Sequence, residues 1–154
     1  MPPLTILRAD IDSPEARELH ALSAQEFAWR YPDDGPNGSP LLRADLAPGR
    51  GALLIARADG RAAGCGALRT LEGTTGELKR MFTRREWRGQ GVGRALLREL
   101  ECVARELGLR RLVLETGIRQ PEAIALYERG GFERIPPYGG YADSAISLCL
   151  QKDL

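Results

Sequence analysis

Trp87-Arg88-Gly89-Gln90-Gly91-Val92-Gly93-Arg94 is the stretch on which the fold of this chain turns. Its alternating glycines sit where an extended run, residues 77–83, gives way to a helical one, residues 91–107. In the latter Val92, Leu96, Leu100, Val103 and Leu107 recur at helical spacing. Glycines in such a turn let successive backbone N–H groups converge on one anion without interference from a Cβ, and the helix dipole adds to the attraction. Seven cations (Lys79, Arg80, Arg84, Arg85, Arg88, Arg94 and Arg98) stand in the same region against one acid, Glu86. A ligand with several phosphates suits that concentration.

Upstream, residues 4–9 alternate as a strand. Asp12-Ser13-Pro14-Glu15 then starts a helix: a capping side chain, a proline in the first turn and an acid near the positive end. Leu19, Leu22, Ala24, Phe27 and Ala28 give it an apolar face up to about Tyr31, and the prolines and glycines of residues 32–40 form a loop. Strands over 52–58 and 62–71 are joined by Asp59-Gly60, a two-residue hairpin signal. Downstream of the glycines, Gly108 closes the helix and residues 109–115 form a short buried strand. A helix over 121–129 starts at a proline and stops at Gly130-Gly131, and strands over 132–135 and 145–150 finish the chain. The order β-α-β-β-β-α-β-α-β-β joins a hairpin-rich half to a βαβ half. That predicts an α/β chain with a mixed sheet and helices on its faces, in one domain over 1–154.

Composition narrows the function. Across 154 residues the net charge is +1, with 43% hydrophobic and 28% charged residues, so no global field draws the chain to nucleic acid or to a membrane. The three cysteines, Cys65, Cys102 and Cys149, are widely spaced and form no CxxC pair, which speaks against a disulfide framework and a zinc knuckle. No apolar run is long enough to span a bilayer, and the N-terminal residues lack the basic start and apolar core of a signal peptide. A cytoplasmic protein is expected. With His20 the sole histidine, and no acid cluster at ligand spacing, no metal is expected either.

Among phosphate-binding devices, a Walker loop is absent because no GxxxxGK[ST] string occurs. A dinucleotide fold needs GxGxxG directly after a strand, whereas Gly89, Gly91 and Gly93 give GxGxG behind the charged stretch 84–88. Arg88-Gly89-Gln90-Gly91-Val92-Gly93 instead resembles the R/Q-x-x-G-x-G/A acyl-CoA signature of the GNAT superfamily of N-acetyltransferases. Two flanking blocks strengthen the likeness. Glu77-Leu78-Lys79-Arg80-Met81-Phe82-Thr83 resembles the family's fourth strand. Gln120-Pro121-Glu122-Ala123-Ile124-Ala125-Leu126-Tyr127 through Gly131-Phe132 is similar to its N-x-x-A-x-x-L-Y-x-x-x-G-F block, with Gln120 in the place of the usual Asn. The resemblance implies the acyl-CoA N-acyltransferase fold, a mainly antiparallel sheet of six to seven strands with helices on both faces.

The resemblance also implies acetyl-CoA as cosubstrate and transfer of its acetyl group to a primary amine, by direct attack in a ternary complex. The pyrophosphate would lie on Arg88, Gly89, Gln90, Gly91, Val92, Gly93 and Arg94. Met81 and Thr83 would bond the pantetheine arm through their main chains, an amide near Met81–Phe82 would hold the oxyanion, and Gln120 would reach the cofactor arm. An alkylamine is almost wholly protonated at neutral pH, so a proton acceptor and a donor for the leaving thiolate are required. Tyr127 is the expected donor. Glu77 is the first candidate base and Glu115 the second, with ordered water as the remaining route. Cys65 and Cys102 lack a histidine partner, which disfavours a covalent acyl-enzyme. The acceptor, a small molecule or a peptide, would be lined by Phe27, Trp29 and Tyr31 and by Tyr138 and Tyr141 of the last turn, with Asp33, Asp34 and Asp143 nearby. A homodimer stays open. The rival readings are a catalytically silent acyl-CoA-binding module and a dinucleotide-dependent oxidoreductase.

Overall fold

The computed structural model describes residues 3–35 and 38–154. Pro36 and Asn37 of the expected loop over 32–40 lie outside the described residues. Asp59 (φ 52°) and Gly60 (φ 72°) both take the left-handed conformation that a two-residue hairpin demands. They join β2 (Gly51–Ala58) to β3 (Arg61–Glu72). Strand β1 (Thr5–Ala9) pairs antiparallel with β2, and β4 (Thr75–Thr83) does so with β3. Strand β5 (Arg111–Gly117) runs parallel to β4, while β7 (Ser147–Asp153) returns antiparallel along β5, with β6 (Glu133–Ile135) outside it. The result is a seven-stranded sheet in the order β1-β2-β3-β4-β5-β7-β6.

Helix α1 (Pro14–Arg30) is capped by Ser13, whose hydroxyl accepts from the Ala16 amide at 3.3 Å. It packs on one face of the sheet with Ala16 and Leu19, against Leu53, Ile55, Cys65 and Ala67. The apolar face read from sequence is narrower in the structure, since Ala24 and Ala28 are exposed. Helices α2 (Val92–Glu106) and α3 (Pro121–Arg129) belong to the opposite face, where Leu96, Leu97 and Leu100 of α2 meet Leu68, Leu78, Leu114 and Leu150. Three short 3-10 turns, Arg43–Leu46, Arg85–Trp87 and Gly139–Tyr141, leave no periodicity in the sequence and were not expected.

On the α1 face, β3 and β4 carry a buried cross-strand ion pair, Arg69 with Glu77, which are register partners 7% and 2% exposed. Arg69 Nε donates to Glu77 Oε1 at 2.9 Å, and its other nitrogens reach the Pro40 carbonyl, the Asp45 carboxylate and the Ser39 hydroxyl. The second oxygen of Glu77 accepts from the Tyr138 hydroxyl at 2.5 Å. One charge pair therefore ties two long connections, the segment around 39–45 and the β6–β7 loop, onto the middle of the sheet.

Removing one member of a buried pair leaves the other charge uncompensated, which costs about 3–5 kcal/mol. Glu77→Gln keeps the shape and removes the charge, so a loss of about 3 kcal/mol is expected in urea unfolding. A change below about 0.5 kcal/mol, the range of neutral surface substitutions, would show that the pair does not hold the fold.

Candidate active site

The site originates where the one parallel ladder of the sheet stops. Strands β4 and β5 pair from Thr75↔Arg111 to Leu78↔Leu114 and no further. Beyond that point β4 breaks its regular pairing with β3 as well: Arg80 takes a left-handed φ of 56°, and the register shifts between Cys65 and Ala67. Gly66 faces this bulge, and a Cβ there would collide with the Met81 and Leu100 side chains. The strands splay, and residues 79–83 line a cleft of about 980 Å³ whose opposite wall is α3 and the end of β5.

At one end of the cleft is the glycine turn. Gly89 (φ 74°) and Gly91 (φ 87°) adopt the conformation that glycine alone takes freely, and open space lies where their Cβ atoms would be. Gly91 is the N-cap of α2 and supplies no side-chain cap, so the amides of the first turn are left for another partner. Gly93 packs against Leu126 of α3, and its Cβ position lies 3.8 Å from Thr83 Oγ1.

The other turn residues have differing surroundings. The Arg88 guanidinium makes two bonds to the Glu26 carboxylate at 2.9 and 3.0 Å, donates to the Thr83 carbonyl at 2.9 Å and lies over the Phe82 ring. Gln90 is exposed and donates to the Glu86 carbonyl, Val92 is part of the core at 1% exposure, and Arg94 is exposed on the cleft. Gln120 accepts from the Gly117 amide at 3.1 Å, closing the turn from β5 into α3.

Toward the cleft's interior lie Tyr127 and Glu115. Tyr127 is the buried residue of α3, set edge-on to Phe132, and burial raises its pKa, so it keeps its proton throughout the working range. Burial also raises the pKa of Glu115, against the opposing effect of a 2.6 Å bond from the Ser147 hydroxyl. Glu77, the first candidate base from sequence, does not line the cleft: it is 2% exposed, with both oxygens engaged by Arg69 and Tyr138.

The expected acceptor lining is divided. Phe27 faces the cleft, while Trp29 is 73% exposed to solvent. Tyr31 is fully buried, and its hydroxyl accepts from the Arg119 amide at 2.9 Å, where it anchors α1 to the β5–α3 turn. Tyr138 and Tyr141 are anchors too, the former on Glu77 and the latter accepting from Lys79 Nζ at 3.2 Å. Burial pushes the Cys65 thiol up to about 12, so this sulfur is a poor nucleophile. His20 is exposed on α1. Among the described residues no group of His, Cys, Asp or Glu could hold a metal, and no helix is long and apolar enough to cross a membrane. The sequence gives no signal for Ser147 on Glu115 or Glu26 on Arg88, whereas Lys79, read there only as one of seven cations, alternates with Glu77 along β4 and lines the cleft.

Comparison with known proteins agrees with this geometry. The chain is 45% identical over 103 residues to an IAA acetyltransferase of Azospirillum brasilense, a stretch covering 66% of this chain and 67% of that one. Matches to further curated relatives span about three fifths of their length, 62% and 61% for two N-acetyltransferases of Bacillus subtilis and Escherichia coli. A crystal structure described as an acyl-CoA N-acyltransferase of Klebsiella pneumoniae superposes with a TM-score of 0.82 at 33% identity, covering 98% of this chain and 97% of that one. The sequence model of the acetyltransferase (GNAT) family matches residues 16–132. With its mixed sheet, its splayed β4 and β5 and its glycine turn at the start of α2, this chain belongs to the GNAT acetyltransferase family.

Proposed function

We propose that this protein is an acyl-CoA-dependent N-acyltransferase that moves an acetyl group from acetyl-CoA to a primary amine by direct attack in a ternary complex. The observation that carries this reading is the cleft between the splayed strands. Its one end offers unpaired helix amides and cations for a pyrophosphate, and its interior brings a proton donor, Tyr127, near a carboxylate, Glu115. The freed edge of β4 supports a strand-like pantetheine arm bonded through the main chains of Met81 and Thr83, with an amide near Met81–Phe82 receiving the oxyanion. Arg88, already engaged by Glu26, would position the turn, and the Gly89–Gly93 amides with Arg94 would contact the phosphates. Gln120 would orient the β5–α3 turn beside the cofactor arm.

Between the carboxylates, the geometry favours Glu115 as proton acceptor, acting on the amine directly or through water, and gives Glu77 a positioning role. Tyr127 would pass its proton to the leaving thiolate, and Cys65, buried and far from ionisation, gives no support to a covalent intermediate. A catalytically silent binding module would have no need of a donor and a base facing one cleft. The oxidoreductase reading finds no support in the family or the fold.

Thiol release from acetyl-CoA across a panel of amines, amino acids and peptides tests the activity. Gly91→Glu places a bulky carboxylate in the open space at the cradle, so calorimetry should find acetyl-CoA affinity lower by at least tenfold, about 1.4 kcal/mol. Unchanged affinity in the folded variant would displace the pyrophosphate from this turn.

The base and the acid have their own signatures. Because burial raises the Glu115 pKa, its ionised form is lost below a pH above the ordinary carboxylate range, and kcat/KM should fall along an acid limb there. Glu115→Gln should abolish that limb and lose most at neutral pH, with the defect shrinking under alkaline conditions as free amine accumulates. Tyr127→Phe should lower kcat by about one hundredfold. If Glu77→Gln rather than Glu115→Gln gives the pH-dependent loss, the two carboxylates exchange roles.

A further inference from the structure

One charge that lines the cleft, Lys79, has no part in the transfer chemistry. Lys79 and Glu115 are the first residues past the end of the β4–β5 ladder, one register step beyond Leu78↔Leu114. Side chains alternate along a strand, so Lys79 lies on the same sheet face as Glu77, and Glu115 on the same face as Val113, the register partner of Glu77. Lys79 and Glu115 therefore flank the mouth of the splay from its two sides, and both line the cleft.

Arg94 and Arg129 of the cleft are exposed to solvent, and its partly buried cations fall into two groups. On the helical rim, Arg30 is ion-paired with Glu26 and Glu122, and Arg88 with Glu26. On β4, Lys79 and its neighbour Arg80 form no ion pair among the described residues, although each is only partly exposed. Lys79 Nζ is bonded to the neutral Tyr141 hydroxyl at 3.2 Å and sits 5.9 Å from the centroid of that ring. Burial disfavours the charged form of both cations; Glu77 and Glu115 attract Lys79 from a distance, but neither is close enough to make an ion pair, and both oxygens of Glu77 are taken by Arg69 and Tyr138. A partly buried cation with no carboxylate in contact among the described residues is costly unless a ligand provides one.

Coenzyme phosphates are not well placed to do so. The turn that would hold them adjoins Thr83, four residues along the strand from Lys79 and roughly 13 Å away at 3.3 Å per residue. An anion at Lys79 would have to belong to the acceptor.

Resting on the acyltransfer reading above, we propose that the acceptor is an amine bearing a carboxylate, of the amino-acid type. Its amine faces Glu115 and its carboxylate is held by Lys79, which Tyr141 orients, with Arg80 reinforcing the positive end. The two charges of a zwitterion then meet their opposites across the splay. Glu115 first takes a proton from the ammonium group, and the neutral amine then forms the new C–N bond while the thioester C–S bond breaks. The thiolate takes a proton from Tyr127, the second proton of the nitrogen restores the tyrosine, and Glu115 releases its proton to solvent.

The test compares thiol-release kinetics for glutamate, lysine, methionine, phenylalanine and tyrosine, each beside the amine left by removing its carboxylate, at equal free-amine concentration. In at least one pair the amino acid should show a kcat/KM at least about tenfold higher, chiefly through KM. Lys79→Met should reduce that ratio below about threefold, and Lys79→Arg should retain most of it, with acetyl-CoA binding confirming that each variant is folded. The inference is overturned if no pair favours the carboxylate, or if Lys79→Met slows both members equally. Should neither class be acetylated although acetyl-CoA binds, the acyltransfer reading itself fails, and this inference with it.

Discussion

Everything distinctive about this molecule depends on a parallel ladder that ends early. Strands β4 and β5 share four register pairs, after which the bulge at Arg80 turns β4 aside. Backbone N–H and C=O groups within a sheet are paired almost without exception, so a strand that leaves its neighbour must find partners elsewhere. The freed edge of β4 faces a cleft rather than another strand, which makes it a template for an extended ligand. Gly66 permits the bulge because a side chain there would meet Met81 and Leu100. The uncapped start of α2 lies at one end of the opening and Tyr127 of α3 beside it, so one local break assembles the site.

Two carboxylates on the same sheet face illustrate how surroundings divide labour. Glu77 sits within the ladder, where Arg69 and Tyr138 take up both of its oxygens. Glu115 sits just past the ladder's end, where burial without a neighbouring cation in contact favours its neutral form. The first is suited to holding loops in place and the second to exchanging a proton. Their opposite environments follow from a difference of two register positions along neighbouring strands, with no difference in residue type.

The same position explains why this end of the cleft carries unmatched charge. Carboxylates of α1 and α3 neutralise Arg30 and Arg88 at the rim, whereas the splay separates Lys79 from Glu115, its next register partner. Had the strands continued side by side, the two would have formed an ordinary cross-strand pair. Their separation leaves a positive and a negative group looking into one space.

The order and kind of the elements were legible in the sequence because they rest on local physics. Asp59-Gly60 admits the left-handed conformations of a tight hairpin, Ser13-Pro14 starts a helix, and the spacing of Val92, Leu96 and Leu100 buries one face of α2. The glycine turn and Tyr127 were legible too, since their spacing along the chain is itself the signal. The different surroundings of Glu77 and Glu115 were not, because they depend on Arg69, Tyr138 and Ser147, residues as much as 61 positions away that only strand register brings near. Nor could the sequence reveal that Arg88 is bound to Glu26 or that Lys79 is bonded to a tyrosine hydroxyl and to no carboxylate among the described residues. Periodicity tells which face a side chain takes. Whether a charge on that face is matched depends on which distant strands and helices pack around it, and the tertiary structure alone decided that.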